Sequence, residues 1–211
     1  MSVSESYNSW ADQYDAVINR TRDLDREATI EILRQYDFKS VLELGCGTGK
    51  NTEWIMTKAE SIIGLDFSAE MLAIAKKKID SRKVEFKSAD LTQNWAIENE
   101  SVDLVISNLV LEHIEDLNHI FAQANQKLAD NGIFFISELH PFKQYAGSKA
   151  RFDTANGIKE ITAFVHHTTD YTNSAKSHGF VMESIKEWFD NDEEKELPRL
   201  ISFVFRKAKI S

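Results

Sequence analysis

The chain has 211 residues, 42% hydrophobic and 28% charged, with 13 Phe, 5 Tyr and 4 Trp, the balance of one folded domain with a core rather than a disordered chain. Its formal net charge of −9 argues against a protein that coats nucleic acid, because displacing counterions takes a basic footprint. One cysteine rules out an internal disulfide and a thiolate-rich metal site. No apolar run approaches the ~18–20 residues a bilayer span requires, so the expectation is a cytoplasmic α/β protein that engages neither membrane nor nucleic acid.

Residues 4–37 read as an N-terminal helical cap, with Ala28, Ile32, Leu33 and Tyr36 at helical spacing. Alternation of strands and helices follows, the pattern of a parallel sheet. SVLEL (40–44) is a first strand, 50–58 a helix and SIIGL (61–65) a second strand. Ser68 is a good N-cap for a helix through Ile79. KVEFKS (83–88) and VDLVIS (102–107) are strands three and four. A helix from about Leu117 to Ala129 leads through an Asn131-Gly132 turn to IFFIS (133–137), the fifth strand. A capped helix starts near Asp170 and stops at Gly179, and two closing strands, 180–188 and 200–207, are joined by an acidic loop. The short connection between these two favours a hairpin, so the expected fold is a doubly wound, seven-stranded, mostly parallel sheet with an antiparallel C-terminal strand.

Ligands of open α/β sheets bind beyond the carboxyl ends of the strands. Here those ends carry the turn GCGTG (45–49), Asp66, Asp90, Asn108, and the pair Glu138 and His140. Glycines let the backbone approach a ligand closely, Asp66 can accept hydrogen bonds from a ribose diol, and Asp90 can take an exocyclic adenine amine. The turn does not suit phosphate. The pattern G-x-x-x-x-G-K-[ST] fails because Leu44 stands five positions before Gly49 and Asn51 follows Lys50. The nicotinamide pattern G-x-G-x-x-G fails because Lys50 occupies the place of its third glycine.

VLELGCGTG (41–49), IIGLDFSAEML (62–72), SAD (88–90) and VDLVISNLVLEHIED (102–116) resemble successive motifs of the class I S-adenosylmethionine-dependent methyltransferases, especially those acting on small molecules. The resemblance covers roughly residues 40–140, and one departure is Ala129-Asp130-Asn131-Gly132 where relatives often show a Pro-Gly-Gly turn. It implies that Gly45, Gly47 and Gly49 wrap the methionine portion of S-adenosylmethionine, with Glu43 supporting the turn and Cys46 lending its backbone. It further implies that Asp66 holds the ribose, Phe67 packs on adenine, Asp90 with the backbone of Leu91 holds the adenine amine, Asn108 meets the amino-acid end, and Tyr14 covers the site. The chemistry agrees. The ligand has no phosphates and carries a sulfonium, which acidic and aromatic surroundings suit.

Methyl transfer from a sulfonium is an in-line displacement, so orientation and water exclusion can carry most of it; neither a metal nor a triad is expected. His140 is the candidate base for a protonated acceptor, and His113, after strand four, is either functional or a helix cap. The segment 141–167 is long for a connection and reads as a substrate-side insertion. It carries Phe142, Tyr145, Phe152 and Phe164, with Lys143, Lys149, Arg151 and Lys159 against Asp153 and Glu160. Tyr145, Lys149, Arg151 and His167 are therefore candidate acceptor contacts, and this local charge favours an anionic acceptor. Adjacent His166 and His167 point apart on an extended segment and suit pocket lining better than metal ligation. Cys46 reads as a small buried residue, Tyr7 and Trp10 as helix packing or pocket roof, and the runs 76–78 and 192–194 as solvated faces. The function expected is methyl transfer to oxygen or nitrogen of a small molecule. A macromolecular acceptor, or a silent cofactor-binding partner or sensor, stands as the alternative.

Overall fold

The computed structural model describes residues 7, 8, 11, 14, 18–147, 151–154, 157–160, 162–191 and 197–209, with backbone only at 151–154 and 157–160. Helix α1 (Arg20–Leu33) begins at Asn19, whose side chain accepts the Arg22 N–H at 3.1 Å. Then come β1 (Ser40–Leu44), a single-turn α2 (Thr52–Ile55), β2 (Ser61–Asp66), α3 (Ala69–Lys78), β3 (Val84–Ser88) and β4 (Val102–Asn108). A 3-10 turn (Leu111–His113) precedes α4 (Leu117–Lys127) and the long β5 (Leu128–Leu139). The short α5 (Pro141–Tyr145), a β6 (Arg151–Thr154) and β7 (Gly157–Glu160) ribbon, α6 (Thr168–Ser177), β8 (Phe180–Trp188) and β9 (Leu200–Lys207) complete the order.

Seven strands form one sheet in the order β3-β2-β1-β4-β5-β9-β8. Strands β1 to β5 run parallel, and β9 is antiparallel to both β5 and β8. The strands read as apolar runs because the central ones are buried on both faces. Leu42, Leu44, Phe134, Ile136, Ile201, Phe203 and Phe205 face one core layer, and Val41, Leu104, Ile106, Ile133, Phe135, Leu200 and Val204 the other. Helices α1, α2 and α3 cover one face and α4 and α6 the opposite one. Under α4, Phe121 lies edge-on to Phe134, Phe180 and Phe205, with centroids 5.2–5.9 Å apart, an arrangement that adds quadrupole attraction to area burial. The chain winds from β1 out to β3 and then crosses back to β4 beside β1. That reversal opens a crevice at the carboxyl ends of β1 and β4.

The sheet and its antiparallel finish follow the sequence expectation, and four boundaries differ. The helix expected over 50–58 is regular only at Thr52–Ile55. Helix α4 stops at Lys127 because Leu128 is already extended and pairs with Val102, so β5 starts five residues before Ile133, with Asn131 at φ 61° inside it. Helix α6 starts at Thr168 rather than near Asp170; Asp170 instead accepts the His167 N–H at 2.7 Å, in a capping box. The insertion contains a helix and a strand ribbon, where the sequence reading has a long connection.

Candidate functional site

A cavity of about 490 Å³ opens at the crevice, lined among others by Tyr7, Tyr14, Gly45, Gly47, Asp66, Phe67, Asp90, Leu91, Asn108 and His113. The turn after β1 makes its floor. Gly45 has φ 62°, and a Cβ there would lie 2.2 Å from Val110 Cγ2; Gly47, φ 54°, would meet nothing within 4 Å. Both positions need the left-handed backbone, and the first also needs the missing side chain for the turn to close on the β4 loop. Gly49 packs elsewhere: a Cβ would come within 2.7 Å of Ile79 Cδ1, against α3.

Asp66, at the end of β2, joins two loops. Its Oδ2 accepts the Gly47 N–H and its Oδ1 the Ser68 N–H, each at 2.8 Å. Burial pushes its pKa up, against those backbone hydrogen bonds. The Phe67 N–H adds a third backbone hydrogen bond, and a carboxylate with about four acceptor sites keeps room for a ligand hydroxyl. Asp90 Oδ1 accepts both the N–H and the Oγ1–H of Thr92, at 2.9 and 2.7 Å, and Leu91 is buried with its carbonyl accepting Trp95 Nε1–H at 3.1 Å. Phe67 and Tyr7 meet edge-on, centroids 5.8 Å apart, and the Arg22 guanidinium sits 4.0 Å over the Tyr14 ring.

Glu43 and Cys46 lie behind the floor, outside the lining. Thr52 donates to Glu43 Oε2 at 2.5 Å, and burial raises the Glu43 pKa to about 8. Cys46 N–H donates to Leu65 O at 2.9 Å and its carbonyl accepts Gly49 N–H at 2.9 Å; burial pushes its thiol pKa well up, which suits a packing residue and not a nucleophile. Asn108 faces the cavity, but its side-chain amide donates to Asp25 Oδ1 and Thr29 Oγ1, both at 2.8 Å, so that side chain ties β4 to α1.

His140, the candidate base of the sequence, is not among the residues that line the cavity. It is 3% exposed, caps α5 by accepting the Phe142 N–H on Nδ1 at 3.1 Å, and meets Glu187 Oε1 through Nε2 at 3.0 Å. Burial lowers its pKa, against the pull of Glu187. The histidine that does line the cavity is His113. Its Nδ1 lies 2.8 Å from the Thr162 carbonyl and its Nε2 2.9 Å from the Tyr7 hydroxyl. A carbonyl only accepts, so in the neutral ring Nδ1 carries the proton and Nε2 accepts from Tyr7. Of the acceptor-side candidates, Tyr145 is 53% exposed and hydrogen-bonded to His167 Nδ1, and His167 is the N-cap of α6. Lys149 and Trp10, the acidic run 192–194 and the side chain of Arg151 lie outside the described residues. Tyr7 and His113 are the lining pair that sequence reasoning left between structural and functional roles; only their position, in the cap and after strand four, pointed to the cavity.

Residues 42–136 match the model of a methyltransferase domain. Over those residues the chain is similar to S-adenosylmethionine-dependent methyltransferases. It is 29% identical over 169 residues to the malonyl-[acyl-carrier protein] O-methyltransferase of Bacillus anthracis, covering 74% of this chain and 62% of that one. It is 32% identical over 142 residues to phosphoethanolamine N-methyltransferase 1 of Triticum aestivum, covering 63% of this chain and 28% of that one. The chain thus spans less than two thirds of these relatives' length. A solved S-adenosylmethionine-dependent methyltransferase from Mesorhizobium loti superposes with a TM-score of 0.71 at 23% identity, over 87% of this chain and 99% of the other. The cofactor of such methyltransferases is S-adenosylmethionine, and the cavity's own chemistry fits it: a lining glycine, Gly47, where a Cβ would meet only open space, a buried carboxylate, and aromatic rings that suit a cation. Among the described residues no group of three or more His, Cys, Asp or Glu could hold a metal, and no helix is long and apolar enough to cross a membrane.

Proposed function

We propose that this methyltransferase transfers a methyl group to an oxygen or nitrogen of a small-molecule acceptor. The observation that carries the reading is the Asp66 carboxylate, buried at the cavity wall and fastened to Gly47 and Ser68. When bound, S-adenosylmethionine supplies a methyl on sulfonium sulfur with a neutral thioether as leaving group. Gly45 and Gly47 receive its methionine portion, Asp66 its ribose hydroxyls, Phe67 its adenine ring, and Asp90 Oδ2 with the Leu91 backbone its amine. Glu43 and Gly49 shape the turn from behind. Asn108 meets the amino-acid end and Tyr14 covers the cofactor, which leaves Tyr7 and His113 for the side where an acceptor enters.

His113 Nε2 is the base that this geometry favours. It is held by the Thr162 carbonyl with its lone pair toward Tyr7, so it can take the proton of a hydroxyl or ammonium acceptor directly or through the Tyr7 oxygen, an aid worth ~10²–10⁴-fold. A carboxylate acceptor needs no such help. The two relatives' names span both cases, an O-methyltransferase of a malonyl carrier and an N-methyltransferase of phosphoethanolamine. An anionic acceptor is the version that Lys149 and Arg151 favour, and unchanged affinity of Arg151→Ala across a panel of acidic metabolites overturns it.

Titration calorimetry with S-adenosylmethionine and S-adenosylhomocysteine, then radiolabelled methyl transfer into a cell extract split by size, tests the whole reading. Label in the small-molecule fraction is expected. Label in the large fraction points to a macromolecular acceptor, binding without transfer to a cofactor sensor, and no binding refutes the proposal.

A further inference from the structure

The wall of the cavity between Asn108 and Ile114 is irregular backbone. Leu109 sits at φ 55°, the 3-10 turn is three residues long, and such a stretch has few repeating hydrogen bonds of its own to hold it. Two buried side chains from distant parts of the chain do that instead. From the end of β5, Glu138 Oε1 accepts the N–H groups of Val110 and Leu111 at 2.9 and 2.8 Å. From beyond the β6–β7 ribbon, His166, 7% exposed, points Nε2 at the carbonyls of Leu111 and Ile114, 3.2 and 2.8 Å away. Both partners only accept, so His166 Nε2 is the donor to both. The turn is thus capped at its amino end by a carboxylate and at its carboxyl end by an imidazole.

The same extended segment meets the turn twice more. Phe164 N–H donates to the Glu112 carbonyl at 2.7 Å, and the Thr162 carbonyl accepts His113 Nδ1–H at 2.8 Å. Residues 162, 164 and 166 alternate along an extended chain and so present one side to the turn. At its far end the His166 ring lies edge-on to Tyr171, centroids 5.8 Å apart, and Tyr171 stacks on Phe203 of β9 at 5.0 Å. The histidine is therefore the point at which the segment is anchored to the rigid core.

We propose that His166 is a positioning residue for His113: by tying the 162–166 segment to both ends of the turn, it holds the Thr162 carbonyl against His113 Nδ1 and keeps Nε2 as the bare nitrogen that faces the cavity. The inference rests on the reading of His113 as the acceptor-side base, and its test needs no acceptor. The tautomer of His113 is read by ¹⁵N NMR of the S-adenosylhomocysteine-saturated protein at a pH where the ring is neutral, with His113→Gln to assign the signals. In His166→Ala the preference for the Nδ1–H form falls about fivefold, the effect of weakening one hydrogen bond. The dissociation constant of S-adenosylhomocysteine, gripped mainly by the glycine turn and Asp66, moves less than about threefold. His166→Gln, whose amide can donate to the same carbonyls, restores the wild-type tautomer. If the alanine variant fails to fold, His166→Phe, which keeps a ring and lacks the donor, is read in the same way. A His113 tautomer unchanged without the donor overturns the proposal, and so does a glutamine variant as mixed as the alanine one. A failed methyl-transfer assay, by contrast, would refute the function and leave this result standing.

Discussion

Glu43 offers the sharpest test of how the site is built. It sits on β1 behind the glycine turn, 4% exposed, with Thr52 as hydrogen-bond donor, and burial lifts its pKa from 4.5 to about 8. The folded state therefore holds a proton on Glu43 that the unfolded chain releases near pH 4.5. Stability is full below that pH, falls as pH rises from there toward 8, and levels off above. At ~1.4 kcal/mol per pH unit, a rise to about 8 sets an upper bound of about 5 kcal/mol on the loss. Glutamine keeps the shape and the acceptor for Thr52 but has nothing to ionise. Urea unfolding of the ligand-free wild type and Glu43→Gln, from pH 5 to pH 9, should show the two nearly equal at pH 5. By pH 8 the variant should be the more stable by roughly 2–5 kcal/mol. Asp25, Asp66, Glu112 and Glu138 also have raised pKa values; Asp25 and Asp66 repel the Glu43 carboxylate, so part of the difference is the relief of that repulsion in the glutamine variant. Two stability curves that stay parallel across this range would refute the claim that Glu43 is held protonated.

Gly45→Ala combines ~1–2 kcal/mol of left-handed strain with ~1–3 kcal/mol of overpacking on Val110; adding Val110→Ala should return only the second part in thermal unfolding. Asp66→Asn puts an amide NH2 where backbone N–H groups need an acceptor, so calorimetry should show S-adenosylhomocysteine bound at least ~10-fold more weakly. His140→Ala should cost the ~0.5–2 kcal/mol of a lost helix cap and leave S-adenosylhomocysteine affinity unchanged; a drop in methyl transfer matching that of His113→Ala would return it to the chemistry. Phe121→Ala, at the centre of the aromatic layer, should lower the unfolding free energy by ~3–5 kcal/mol.

The parts of this fold that the sequence makes legible are those governed by local rules. SVLEL and VDLVIS read as strands because burial on both faces demands unbroken apolar runs, and Ser68 reads as a cap because its hydroxyl accepts Met71 N–H at 3.1 Å. The glycine turn and Asp66 stand out because few residue types fit those backbone positions. Roles decided by contacts far along the chain are not legible. His140 and His113 both follow a strand end, and only the Glu187 contact of one and the Tyr7 contact of the other separate a helix cap from a cavity wall. Glu138 reads as a strand-end ligand group, yet its Oε1 accepts two N–H groups of the next loop. The early start of β5 was hidden for the same reason, since Leu128 continues a helical pattern and is turned aside by pairing with Val102.

One consequence of the strand order concerns how the protein is made. β9 is the last strand in chain order, but it fills an interior slot between β5 and β8 and buries Phe203, Val204 and Phe205. Until it has emerged from the ribosome, β5 presents an open rim of unpaired amides flanked by Phe134 and Phe135, a template for sticking to other nascent chains. The parallel strands β1 to β5 can take shape early, but the rim of β5 is sealed against aggregation only when β9 inserts, so chaperone dependence and the penalty for truncation ahead of β9 should both concentrate on that step.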